Sequence, residues 1–164
     1  MSSIRTIITA TIISLAATLT PPAHGATKTA TFKVMATVIS DCSIISVPDI
    51  NFGSVGVMTA NLDITGSITV SCTPGTSYTL SLDAGSAVGS TVSNRLMAQG
   101  ANTLQYQLYS DSGRTQWGMT PGTDTQGGTG TGSNTLYTIY ARLPPQSTPP
   151  VGLYSSTVTA SITY

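Results

Sequence analysis

Polar and apolar residues alternate in run after run of this chain, and no stretch of it carries a helical period. Period-two alternation marks a strand with one buried face and one wet face. The run of largest consequence is Thr29-Ala30-Thr31-Phe32-Lys33-Val34-Met35-Ala36-Thr37-Val38. One face carries Ala30, Phe32, Val34, Ala36 and Val38; the other carries Thr29, Thr31, Lys33 and Thr37, with Met35 as the one apolar intruder. No turn signal ties this run to a following hairpin partner. A strand of that kind pairs within its own sheet or is given to another molecule. The alternation by itself leaves both open.

Residues 1–25 read as a secretory signal. Arg5 is the one charge of the opening stretch, an apolar, Thr-rich run spans Ile7 to Leu19, and Pro21-Pro22 precedes the small-residue site Ala23-His24-Gly25. Cleavage is expected after Gly25 or Ala26. The apolar run is too short to cross a bilayer, so no transmembrane anchor is expected in the mature chain. The mature chain divides into an N-terminal strand segment, residues 26–40, and one domain, residues 41–164. That is enough residues for a core of its own.

Export sets the redox context. The chain has two cysteines, Cys42 and Cys72, and an isolated pair in an oxidising compartment forms one disulfide. A zinc site fails for want of ligands, since the only histidine, His24, leaves with the signal. Charged residues make up 7% of the chain, against roughly a quarter in ordinary domains. All the acidic residues are aspartates, which suit turns. Low charge with abundant Thr and Val describes an all-β extracellular domain. A net charge of +0 removes any electrostatic case for nucleic acid or an acidic membrane surface.

Strands are expected at Ser43–Val47, Ile50–Gly53, Gly66–Cys72, Tyr78–Leu82, Arg95–Met97, Leu104–Tyr109, Leu136–Arg142 and Tyr154–Tyr164. Thr73-Pro74-Gly75-Thr76 is a turn by composition, so Ser67 to Asp83 reads as a hairpin. Ser110-Asp111-Ser112-Gly113 is a second turn, with a possible return over Arg114–Gly118. Pro121–Ser133 reads as loop or low complexity. In the last strand Tyr154, Val158, Ala160, Ile162 and Tyr164 share one face. Short strands with turn signals every ten residues or so make a β-sandwich with both ends of the mature chain in sheets.

No catalytic constellation assembles. Without a mature histidine there is no Ser–His or Cys–His nucleophile, and a Ser–Lys pair would have to use Lys28 or Lys33, a poor place to desolvate an amine. Asp111-Ser112-Gly113 matches the short signature of aspartic proteases, with Asp83-Ala84-Gly85 as its conceivable mate, but after a strand Asp-Ser-Gly reads better as a turn. The Gly-rich run Gly127–Gly132 lacks the Lys and helix of a phosphate loop. Trp117, with Tyr106, Tyr109, Tyr137 and Tyr140 nearby, is the one candidate for a surface ligand contact, a sugar face being the natural partner. No cofactor and no metal are expected.

Several segments carry a resemblance. They are Cys42-Ser43-Ile44, Ile50-Asn51-Phe52-Gly53, Thr65–Cys72, Tyr78–Gly85, Arg95-Leu96-Met97, Leu104–Asp111, Trp117-Gly118 and Gly152–Thr159. In that order the chain resembles the spore coat protein U domain family, whose members include subunits of archaic chaperone–usher pili. The resemblance implies an incomplete immunoglobulin-like β-sandwich completed by donor-strand exchange. In it, Ala30, Phe32, Val34, Ala36 and Val38 form the apolar face of the donor strand. Tyr154, Val158, Ala160, Ile162 and Tyr164 line the C-terminal strand beside the groove. The implied partners are neighbouring pilus subunits in a homo- or heteropolymer, a periplasmic chaperone and an outer-membrane usher. The implied place is a surface fibre or coat exported through a Gram-negative type envelope, serving attachment and biofilm formation. The residues alone also allow a monomeric secreted carbohydrate-binding β-sandwich.

Overall fold

The computed structural model describes residues 25–164, among which there are eight strands and no helix. Most of the expected leader lies outside the described residues. The strands are β1 (Cys42–Ser46), β2 (Leu62–Cys72), β3 (Ser77–Leu82), β4 (Arg95–Gln99), β5 (Asn102–Tyr109), β6 (Gln126–Thr129), β7 (Asn134–Leu143) and β8 (Ala160–Thr163). They form a five-stranded sheet in the order β1-β2-β7-β5-β4 and a three-stranded sheet in the order β6-β3-β8. Every ladder is antiparallel.

Alternation drives the layers together. Ile68 and Val70 of β2, Tyr78, Leu80 and Leu82 of β3, Leu104, Tyr106 and Leu108 of β5, and Ile139, Ala141 and Leu143 of β7 are all buried. Each such Leu or Ile contributes about 1.5–3 kcal/mol by leaving water. Trp117 fills the space among them, fully buried, its indole N–H donating to Leu80 O at 3.0 Å.

One buried group is charged. Arg95 is fully buried and faces four backbone carbonyls, donating to Asp83 O (2.8 Å), Leu82 O (3.0 Å), Val92 O (3.2 Å) and Trp117 O (2.6 Å). One guanidinium thus joins β4, the end of β3, the loop before β4 and the tryptophan. Its planar fork of donors is what allows that. Burial lowers its pKa from the usual value, with Tyr106, Asp83 and Asp124 acting the other way.

The fold departs from the expected layout in several places. Ser67 to Asp83 is no hairpin: β2 and β3 lie in different sheets. β2 has β1 on one edge and β7 on the other, so neither edge is free for β3. The turn, with Gly75 at φ 82° and Thr76 N–H donating to Thr73 O, carries the chain across the core instead. Ile50–Gly53 forms no strand. Gly53 N–H folds back to Asn51 Oδ1 (2.8 Å) at φ 74°, and Ile50 lies over Gly66, where a Cβ would come within 2.6 Å of it. Pro121–Ser133 is not all loop, because it contains β6, paired with β3. There Gly128 leaves room for the Tyr78 and Tyr137 rings, whose hydroxyls bond at 2.8 Å. The return after β5 amounts to a single bridge, Tyr109 to Gln116.

Neither end of the described residues is a long laddered strand. Residues 25–41 join no ladder. At the other end only Ala160–Thr163 is laddered, out of the expected Tyr154–Tyr164.

Candidate functional site

β8 pairs with β3 along one edge, Leu80 opposite Ile162 and Leu82 opposite Ala160. In an antiparallel pair, alternate residues turn their N–H and C=O groups to opposite edges. Asp83 N–H donates to Thr159 O at 3.0 Å, while Ser155 and Ala98 exchange N–H···O bonds of 2.9 and 3.2 Å. Thr157 N–H reaches Ser86 Oγ and Thr159 N–H reaches Asp83 Oδ1, both at 2.9 Å. The odd-numbered residues therefore face β3 and β4. The even-numbered Ser156, Val158, Ala160 and Ile162 turn their backbone groups to the far edge. Among the described residues no strand pairs with that edge.

The same even-numbered residues have half-buried side chains, and Tyr154, Val158, Ala160 and Ile162 rest against the core. Tyr164 shares their parity but is 56% exposed, its hydroxyl donating to Asp41 Oδ1 at 2.9 Å. At the Tyr154 end of this edge opens a groove of about 740 Å³. Residues 50–58 and 148–154 form its walls, and Met97, Leu104 and Leu143 of the core line it from below. The walls make few bonds of their own: Met58 N–H donates to Thr148 Oγ1 and Gln146 N–H to Met58 O. Pro149 and Pro150 have no N–H to offer a ladder. An unpaired edge beside an apolar groove is a template for an added strand.

The alternating segment has the complementary lack. Phe32 is 87% exposed, Val34 86% and Val38 81%, and Ala30 and Ala36 are exposed as well. Met35, on the opposite face, is 84% exposed too. Monomeric proteins rarely leave such a contiguous apolar stripe in water without a use for it.

Cys42 and Cys72 are joined, with an S–S distance of 2.04 Å, and stand directly opposite one another in the β1–β2 ladder. The bridge holds the strand that follows the alternating segment.

Trp117 is not a surface contact. It is 0% exposed, because the one side chain large enough to fill the space between the sheets is drawn there and finds a carbonyl for its N–H. The two aspartates of the conceivable dyad are each committed to local backbone. Asp111 Oδ1 accepts the Thr115 N–H at 3.1 Å, and Asp83 Oδ1 accepts those of Gly85 and Thr159. Among the described residues no group of three or more His, Cys, Asp or Glu side chains gathers where it could hold a metal.

Sequence reasoning missed the groove's walls. Neither residues 54–58 nor 148–153 alternate, and only the prolines signalled a stretch that cannot join a ladder. It also missed Asp83 as the anchor of the edge strand. The signal there was a carboxylate one residue past a strand end with Gly two residues on, the pattern of an Asx turn.

The molecule is thus an all-β, immunoglobulin-like sandwich of two sheets with an open edge. A family profile described as the Spore Coat Protein U domain matches residues 28–161, and the chain belongs to that family. "Protein U" of Myxococcus xanthus is 34% identical over 180 residues, an alignment spanning 100% of both chains. Among solved structures, the fold is similar to a chain of the CsuC–CsuE chaperone–tip adhesion subunit pre-assembly complex. That complex comes from the archaic chaperone–usher Csu pili of Acinetobacter baumannii. The TM-score is 0.58 at 22% identity, over 78% of this chain and 41% of that one.

Proposed function

We propose that the chain is a structural subunit of a secreted surface pilus or coat, assembled through the chaperone–usher pathway by donor-strand exchange. The observation that carries the reading is the pairing of two deficits in one chain. An unladdered edge from Tyr154 to Ile162 begins at an apolar groove lined by Tyr154, and a stripe of five apolar side chains, Ala30 to Val38, is left in water. In the reading, that stripe enters the groove of a neighbouring copy, where main-chain bonds hold it and alternate side chains fill the groove. Residues 26–40 are then the donor segment and 41–164 the accepting domain. A periplasmic chaperone covers the groove before assembly, and an outer-membrane usher is the place of exchange. The Csu complex, a chaperone with a pilus subunit, supports this by its fold alone. Attachment and biofilm formation at the cell surface are the roles that suit such a fibre. With Trp117 buried, no observation favours a sugar-binding monomer.

Phe32→Asp tests the reading. Burying Phe32 is worth about 1.5–3 kcal/mol, whereas an unpaired carboxylate in an apolar groove costs several kcal/mol. The variant should lose fibres in electron micrographs while its chaperone-bound subunit stays soluble. Fibres of ordinary length and number from Phe32→Asp contradict donor-strand exchange through this segment.

A further inference from the structure

Residues 39–41 are fixed at one end of the open edge. Thr73 N–H donates to Asp41 O (2.9 Å), Thr73 Oγ donates to Ile39 O (3.1 Å), and Tyr164 Oη donates to Asp41 Oδ1 (2.9 Å). The groove has its walls at the other end, around Tyr154 and residues 50–58. Resting on the donor-strand reading above, we infer that Thr73, Asp41 and Tyr164 form a latch that keeps a subunit from closing its own groove. The groove is thereby reserved for residues 30–38 of a second copy.

Chain length decides this. The edge from Tyr164 to Tyr154 runs about 33 Å at roughly 3.3 Å per residue. With Ile39 held, residues 30–38 reach about 30 Å fully extended, and reversing direction uses at least about two of them. About 23 Å is left, which ends well short of Tyr154. Ala30 would stop near Thr157 and Phe32, two residues nearer the tether, near Thr159, both short of the groove at Tyr154. A second copy's segment has no such tether and can fill the whole groove.

Without the two side-chain bonds the first held residue becomes Asp41, whose C=O still accepts the Thr73 N–H. The reversal then fits within residues 39–40, and the whole segment can lie parallel to β8. Ala30 falls beside Tyr154, Phe32 beside Ser156, Val34 beside Val158, Ala36 beside Ala160 and Val38 beside Ile162. Small residues meet large ones at the first two of these pairs, so the self-closed register is sterically sound. A short tether also gives an effective concentration near the millimolar range. At micromolar protein an unlatched subunit would therefore close on itself before it met another. The latch residues act by position; they touch neither the groove nor its occupant.

Thr31→Cys with Ser155→Cys reports self-closure, because these two exposed positions become neighbours within one chain only when the segment runs the length of its own edge. The exported chain carrying this pair is refolded at low micromolar concentration and oxidised, with the latch intact and with Thr73→Val/Tyr164→Phe. Cross-linked monomer, identified by peptide mass, should rise about tenfold when the latch is removed. Thr73→Ser, which keeps the hydroxyl, should behave as the intact chain. Trp117 emission reports that each variant is folded. Equal self-cross-linking in both backgrounds overturns the latch. Cross-links only between copies in both backgrounds also overturn it, while leaving donor-strand exchange standing. No cross-link of either kind, with Lys33 still open to trypsin in assembled material, overturns both.

Discussion

Arg95 is the residue on which the largest number of separate elements depends. Its four carbonyl partners belong to the end of β3, the loop before β4 and Trp117. Replacing it with Met keeps much of the volume and leaves those carbonyls without their donor, at a cost of about 3 kcal/mol. Arg95→Lys keeps the charge but cannot fork, so its urea midpoint should fall between those of Arg95→Met and the parent. Asp83 acts in the same way on the edge strand. Burial works to raise its carboxyl pKa, but the N–H groups of Thr159 and Gly85 outweigh it and hold the pKa below the ordinary 3.8. A carboxyl with a lowered folded pKa stabilises above its unfolded pKa, and that stability is lost as pH falls through the folded value. Asp83→Asn keeps the acceptor oxygen and removes the titration. It should be less stable than the parent by about 1 kcal/mol at pH 7. The difference should shrink toward zero below pH 3.8, measured by urea unfolding at both ends of that range. A gap that persists at acid pH contradicts Asp83 as the anchor. Asp63, exposed between Arg142 and Arg114, titrates in the same window, but it does so in both chains and cancels from the comparison.

At the scale of elements, strands whose two edges and one buried face agree with local alternation were legible in the residues. β2, β3, β5 and β7 all fall where period-two runs place them. What alternation cannot say is which sheet a strand joins. Val70 and Cys72 point inward just as Tyr78 and Leu80 do, whether the turn between them makes a hairpin or a corner. β6 was illegible for another reason: Gly127 and Gly128 have no side chains to alternate, and their backbone is placed by the Tyr78 and Tyr137 rings above it. The Cys42–Cys72 bridge holds β1 against β2 across a separation of 30 residues. Cys42→Ser/Cys72→Ser should lower unfolding free energy by about 3 kcal/mol on the chain-entropy account. If urea midpoints of parent and variant coincide, β1 does not depend on the bridge. The segment proposed as donor carries Lys28 and Lys33, both exposed. In assembled material the Lys33–Val34 bond should resist trypsin, and it should be cut readily in subunits that have not assembled.

The described sandwich has sheets of five and three strands, the smaller ending on β8 with an unpaired edge. Its candidate site was half legible in the residues. The exposed apolar stripe at residues 30–38 and the inward face of the C-terminal segment could be read from alternation, because in both every second residue is apolar or half-buried. The groove at the Tyr154 end of the edge could not, since its walls at residues 50–58 and 148–154 are irregular backbone set by Gly53, Gly66 and the prolines. Donor and edge belong to opposite ends of one chain, so copies that exchange strands join head to tail and need not close into a ring. The most direct measurement mixes two chains, each with one cysteine added to the Cys42–Cys72 pair, one carrying Val34→Cys and the other Val158→Cys, during assembly under mild oxidation. Donor-strand exchange predicts a covalent pair made of one chain of each kind, joined between residues 34 and 158. Fibres that assemble from the mixture without that product would contradict it.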